Sequence, residues 1–339
     1  MTAMVCRSPG DLVLEQRPLP GEPPAGWALV AVSHVGICGT DYHIFEGKHP
    51  FLAYPRVMGH EVSGTVVKSG ENVTLAEGLA VIVNPYLACG KCIACRNGKP
   101  NCCMAIEVLG VHRDGAMCEQ ILVPASNLYP ADGLSSEAAA AVEFLAIGAH
   151  AVRRSRPVVG TRALVIGAGP IGIGTAIFAR IAGLDVTLLD TSRERLDFAF
   201  RELSFRSTIG PETPVAEAVA AATGGDGFDT VFDATGNTVS IQSAFAHVAH
   251  GGMLVLVSVV KDQISFSDPE FHKREMTLVG SRNATLEDFD LVASSIRAGK
   301  VPLDRLITHR TTLDAAPQDL ARWAHEKSDL IKAVIKIGD

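Results

Sequence analysis

The stretch 162-RALVIGAGPIGIGTAIFARIAGLDVTLLD-190 decides the fold. Ala163 to Ile166 is a short apolar run of strand length, and Ile171 to Ala182 has helical character that stops at Gly183. Between them Gly167, Gly169 and Gly172 form G-x-G-x-x-G. The first glycine permits a tight turn, the second lets backbone approach a pyrophosphate, and the third lets helix and strand pack closely. With Pro170 and Ile171 at its start, the helix offers free N–H groups and a partial positive charge to phosphates. Val186 to Leu189 reads as the next strand, and Asp190 ends it. A carboxylate about twenty residues beyond the glycines binds both hydroxyls of an adenosine ribose and repels a 2′-phosphate. NAD is therefore favoured over NADP, although Arg193 and Arg195 leave some NADP use open.

Outward from this stretch the alternation continues. Arg193 to Glu202 reads as a helix, and Thr230 to Asp233, Met253 to Val257 and Thr277 to Gly280 read as further strands. Nearly continuous apolar strands alternating with helices imply a doubly wound parallel sheet. The first third differs. Ala28 to Ser33, Val62 to Val67 and Leu79 to Val83 are short strands between turns, which indicates a β-rich domain. Ser135 and Ser136, followed by Glu137 and alanines through Val142, mark a capped helix start. The last fifty or so residues return to mixed structure and end in Ala333 to Ile337.

A chain of 339 residues suits two domains and needs no staples. Hydrophobic residues at 47% and charged residues at 20% are ordinary globular usage, which sets aside disorder and coiled coil. A net charge of −7 argues against nucleic acid or an anionic membrane as partner. The uncharged run Ala163 to Ala179 is punctuated by five glycine and proline positions and is not expected to span a membrane. Nothing at the N-terminus reads as a secretory signal, so a cytoplasmic location is expected.

Five of the eight cysteines fall between Cys89 and Cys103, which favours metal over disulfides. Cys89, Cys92 and Cys95, with Cys102 or Cys103 as a fourth, suit a closed tetrahedral zinc site; iron–sulfur ligation is the alternative. Cys6 and Cys118 are isolated and read as inert, buried thiols. Two further segments are unusual: Gly36 to His43, which contains Cys38-Gly39-Thr40-Asp41, and Gly59 to Gly64, which contains His60-Glu61. A soft thiolate and an imidazole on loops suit a second zinc.

In this order, C-G-T-D at Cys38, G-H-E-x-x-G at Gly59, the four-cysteine lobe and the Gly167 fingerprint resemble the zinc-dependent medium-chain alcohol dehydrogenase family across essentially the whole chain. The segment Val142-Glu143-Phe144-Leu145-Ala146 resembles the V-E-P-L-A of the polyol and threonine dehydrogenase branch, with Phe144 in place of proline. Tyr54 to Glu61, Leu109 to Gly115, Ser281 to Ala284 and Leu306 to His309 look most like the starvation-sensing dehydrogenase-like proteins, whose relatives include L-gulonate and L-galactonate 5-dehydrogenases.

This resemblance implies a GroES-like catalytic domain over 1–147 and 285–339, with a structural zinc lobe at about 86–104. A Rossmann domain over 148–284 is implied between its two parts, with zinc and nicotinamide in the cleft. It selects Cys103 as the fourth lobe ligand. For the catalytic zinc it implies Cys38 and His60, with Glu61 and Glu143 competing for the third place and Asp41 accepting the other N–H of His60. Thr40 would take the proton of the substrate hydroxyl, relayed by the cofactor ribose to His43 and water. Arg282 and Asn283, with Tyr42 and His112, are the expected substrate contacts. The implied reaction moves hydride from a secondary alcohol of a sugar acid or polyol to NAD and leaves a ketone. A homo-tetramer or homo-dimer acting on a small molecule is expected. The rival readings are a sorbitol- or threonine-type dehydrogenase and a non-catalytic NAD or metabolite sensor.

Overall fold

The structure is a computed structural model, and it describes residues 1–49, 52–326 and 330–338. The chain forms two compact units: Met1–Glu143 with Ala293–Asp339, and Phe144–Val292.

The contiguous unit is built on a six-stranded sheet. In spatial order its strands are Ser207–Ile209, Asp185–Leu189, Arg162–Ile166, Phe228–Asp233, Val248–Leu256 and Thr277–Gly280, and every neighbouring pair is parallel. The first strand in sequence thus lies inside the sheet and the order reverses beside it, the doubly wound arrangement whose ligands sit at strand carboxyl ends. Leu164, Ile166, Val231, Leu254 and Phe228 form its core. The three-residue strand Ser207–Ile209 and the helix Val215–Thr223 were not legible in the sequence. Three residues are too few to show a period of two, and the helix, VAEAVAAAT, has too few large apolar residues to mark a face.

A buried charged cluster fastens two helices of this unit. Asp288 accepts from Arg153 Nε at 2.8 Å, lies 2.8 Å from His150 Nδ1, and accepts the backbone N–H and the hydroxyl of Thr285. It joins the helix Val142–Arg154 to the helix Leu286–Arg297.

The discontinuous unit centres on the long strand Trp27–Ile37. Glu61–Ser69 pairs antiparallel on one side, with Gly36 opposite Glu61. On the other side Lys332–Lys336 pairs antiparallel, with Ile37 opposite Ala333, and Ile307–Thr312 lies beyond it. The C-terminal strand therefore sits inside the sheet, two strands from Glu61. Alternating apolar residues such as Val30, Val35, Val62, Val66 and Ile335 fill the core beneath. Among the described residues no helix is long and apolar enough to cross a membrane.

Candidate active site

Cys38 ends the long central strand and begins the helix Gly39–Phe45. Gly59 adopts φ +94°, and a side chain there would strike Val35 and Met117. Gly110 and Gly115 pack on the backbone of Gly59 so closely that a Cβ on either would meet it within 3 Å. This glycine stack presses the His60 loop against the end of the central strand. As a result one donor atom each from Cys38, His60 and Glu61 falls within a common 4.8 Å.

Glu61 is fully buried, and the ammonium of Lys332, only 2% exposed, lies against its carboxylate. Lys332 also donates to the carbonyl of Ile37 at 2.9 Å. The Glu61 side chain passes over Gly36 to reach it; a Cβ on Gly36 would sit 2.0 Å from Glu61 Oε2. That oxygen is the one against the Lys332 ammonium, whereas the buried His60 Nδ1 has no hydrogen-bond partner.

Asp41 corrects the expectation that it binds His60. Its carboxylate accepts the backbone N–H of Cys38 at 2.8 Å and of Gly59 at 3.2 Å. As the third residue of the helix it closes a capping box, and that geometry turns it toward backbone instead of the imidazole. It ties the Cys38 and His60 loops together. Glu143, 3% exposed, lies outside the three-residue group and accepts a hydrogen bond from the hydroxyl of Tyr86.

Burial and mutual charge shape the titration of the centre. Burial raises the Asp41 carboxyl, and burial raises Glu143 to about 7. Burial disfavours the charged form of His60, yet Cys38, Asp41 and Glu143 outweigh it and lift the imidazole well above its ordinary value. A thiol, an imidazole with an orphaned buried nitrogen and a carboxylate, each offering a donor atom within 4.8 Å of the others, fit a divalent metal such as zinc.

Thr40 Oγ1 lies 3.8 Å from Cys38 Sγ. His43 is exposed one turn further along the same helix. Tyr42 is buried, which raises its phenol. His112 is exposed, and its Nδ1 accepts the backbone N–H of Val108.

In the lobe, Cys89, Cys92, Cys95 and Cys103 gather within 4.8 Å, while Cys102 points outward and is exposed. Backbone N–H groups aim at the sulfurs: Cys89 to Cys103 at 3.2 Å and Met104 to Cys92 at 3.5 Å. The N–H of Met104 chiefly lowers the Cys92 thiol to about 6. Thiolates cradled by amides suit a structural metal.

The glycine fingerprint has the form its sequence implies. Gly167 takes φ +98°, and a Cβ on Gly172 would meet the Gly167 carbonyl at 1.6 Å. A Cβ on Gly169 would meet only Arg195 Nη1, at 4.0 Å, so the helix start is open to a pyrophosphate. Pro170 opens that helix, followed by Ile171, and no side chain caps it. Asp190 accepts the backbone N–H of Ala168 at 2.6 Å and of Ser192 at 2.8 Å, and lies 4.0 Å from Arg195. This fixes its carboxylate at the strand end, beside the fingerprint. In the same unit Arg282 is exposed and Asn283 is left-handed at φ +52°, both just past the last sheet strand.

Comparison with known proteins agrees with this geometry. Residues 24–133 match the alcohol dehydrogenase GroES-like domain, and residues 170–297 match the zinc-binding dehydrogenase family. L-galactonate-5-dehydrogenase of Escherichia coli K12 is 42% identical over 99% of this chain and 98% of its own. The chain belongs to the zinc-dependent medium-chain alcohol dehydrogenase family. Another member, the 2-dehydro-3-deoxy-L-galactonate 5-dehydrogenase of Pseudoalteromonas atlantica, is 34% identical over 84% of each chain. Within the same fold, the crystal structure of RspB from E. coli CFT073, complexed with NADH, superposes with a TM-score of 0.93 at 28% identity over 99% of both chains. As a family member the chain is an oxidoreductase of alcohols.

Two residues of the centre were missed in the sequence, Lys332 and Tyr86. A lysine inside the apolar run Leu330 to Ile335 was a signal, because a charge at a strand position flanked by apolar residues is buried only when paired. Tyr86 carries no comparable mark.

Proposed function

We propose that this chain oxidises a secondary alcohol of a sugar acid to a ketone, with L-galactonate or L-gulonate dehydrogenated at carbon 5 and the hydride delivered to NAD. The donor set Cys38, His60 and Glu61 carries this reading, and the full-length likeness to L-galactonate-5-dehydrogenase supports the substrate class. Cys38, His60 and Glu61 hold the catalytic zinc, and Cys89, Cys92, Cys95 and Cys103 hold a structural one. Zinc, when bound, polarises the substrate hydroxyl and lowers its pKa, and NAD takes up the hydride. Thr40 Oγ1 accepts the hydroxyl proton as it gives up its own, and His43, three residues on and exposed, passes that proton to solvent. Gly167, Gly169 and Gly172 admit the pyrophosphate, and Asp190 takes the adenosine ribose. A sugar-acid carboxylate calls for a planar cation, and we assign Arg282 to it.

Alcohol, NAD⁺ and ketone balance with one hydride moved and one proton released. The decisive experiment follows NAD reduction across hexonates, polyols, threonine and simple alcohols. Selective turnover of L-galactonate or L-gulonate is expected, and activity confined to polyols or threonine removes the sugar-acid assignment. Thr40→Val keeps zinc and NAD bound and loses turnover; full turnover in that variant ends the relay.

We also infer a cytoplasmic homo-tetramer or homo-dimer. Five of the eight cysteines are grouped in a metal-type lobe, a usage that fits a reducing compartment. Among the described residues the strand Thr277–Gly280 pairs on one side only and exposes Leu278, leaving an edge for a second copy. Light scattering after size exclusion checks this, and a monomer refutes it.

A further inference from the structure

The two glutamates near Cys38 have different partners. Glu61 is gripped by the buried cation Lys332, and Glu143 by the neutral hydroxyl of Tyr86. Tyr86 is itself unusually well fixed. Its backbone N–H donates to Asn84 Oδ1 at 3.0 Å, and its carbonyl accepts Asn127 Nδ2 at 3.1 Å. Asn127 Nδ2 also binds the carbonyl of Asn84 at 2.9 Å, and both asparagines are buried. Tyr86 belongs to the short strand Tyr86–Leu87, which pairs with Glu107–Val108 at the base of the cysteine lobe and leads into Cys89. The phenol thus runs from the frame of the lobe to the Glu143 carboxylate.

We propose that Tyr86 is a positioning residue of the active centre: its hydroxyl holds Glu143 outside the Cys38–His60–Glu61 donor set and ties that carboxylate to the frame of the cysteine lobe. The proposal rests on the reading that Cys38, His60 and Glu61 hold the catalytic metal. It makes Glu61 the resting carboxylate donor and Glu143 a reserve kept in place by one hydrogen bond.

Cobalt-substituted protein tests it, by visible absorption and by chelator competition for the metal. Glu143→Gln leaves the cobalt spectrum and the metal affinity as in the wild type. Tyr86→Phe releases Glu143 to join the donor set, shifting the spectrum and changing affinity by about tenfold, the scale on which outer-shell contacts act. Adding Glu143→Gln to Tyr86→Phe restores the wild-type spectrum. Metal retained in the cysteine lobe reports that each variant is folded. A Tyr86→Phe spectrum that superposes on the wild type overturns the proposal, and so does a shift that survives Glu143→Gln. A wild-type chain that takes up only the lobe metal overturns the underlying metal assignment, and the positioning role falls with it.

Discussion

Lys332 reaches Glu61 across the bare Cα of Gly36, so a charge on the C-terminal strand neutralises a carboxylate two strands away. Removing one partner of a buried pair leaves the other charge uncompensated, at a cost of about 3–5 kcal/mol. Lys332→Met is expected to lose stability on that scale, and Lys332→Met with Glu61→Gln to recover most of it. Urea denaturation of the single and double variants measures both. A single variant as stable as the wild type would show that the pair contributes nothing.

Gly36→Ala places a methyl where Glu61 Oε2 now lies, 2.0 Å from the ideal Cβ. The carboxylate must swing away while Lys332 remains. Metal affinity at the Cys38 centre should fall by at least about tenfold, with the lobe metal unaffected. Two metals per chain held with wild-type affinity would mean that Glu61 is not placed by this gap.

Asp190→Asn removes the charge that repels a 2′-phosphate and leaves Arg195, 4.0 Å away, without its carboxylate neighbour. The preference for NAD over NADP should drop by on the order of tenfold, equivalent to about 1.4 kcal/mol. Initial rates with both cofactors decide it; an unchanged ratio places the discrimination elsewhere.

Asp288 sets a pH dependence of stability. Burial alone would raise its carboxyl, but His150 and Arg153 outweigh burial and hold it well below the usual carboxylate range. A depressed folded-state pKa means that the stabilisation is complete above the unfolded value near roughly 4 and fades as pH falls toward the folded one. Asp288→Asn should cost about 3 kcal/mol at neutral pH and flatten the acid limb of the stability curve. Melting curves from neutral to acid pH compare the two, and parallel acid limbs would dismiss the cluster as the cause.

Cys95→Ser should release one metal per chain and open the lobe to proteolysis between Cys89 and Cys103, because a small loop closed by metal has little core of its own. Metal analysis with limited proteolysis checks it. A variant that keeps its full metal content would remove Cys95 from the ligand set.

Much of this was legible because the signals are local. The glycines at 167, 169 and 172 sit between an apolar strand and a helix, and the strand order follows from that alternation. The cysteine spacing brings four thiols together within one short loop, which left Cys102 or Cys103 open, and the structure gathers Cys103 with the other three. Asp41 misled because its place three residues after Cys38 fits an imidazole partner and a helix cap equally well on paper. Lys332 carried a sign of burial, but its partner was beyond reach: the contact with Glu61 spans 271 residues, and the pairing of Lys332–Lys336 beside Trp27–Ile37 creates it.

That separation also orders events during synthesis. The unit Phe144–Val292 is contiguous and can close as soon as it emerges, whereas Glu61 waits for a lysine translated 271 residues later. Until then the sheet of the first unit has a strand missing from its interior and a carboxylate with no counter-ion. The nascent chain thus holds all of the contiguous unit before the ion pair between Glu61 and Lys332 can form.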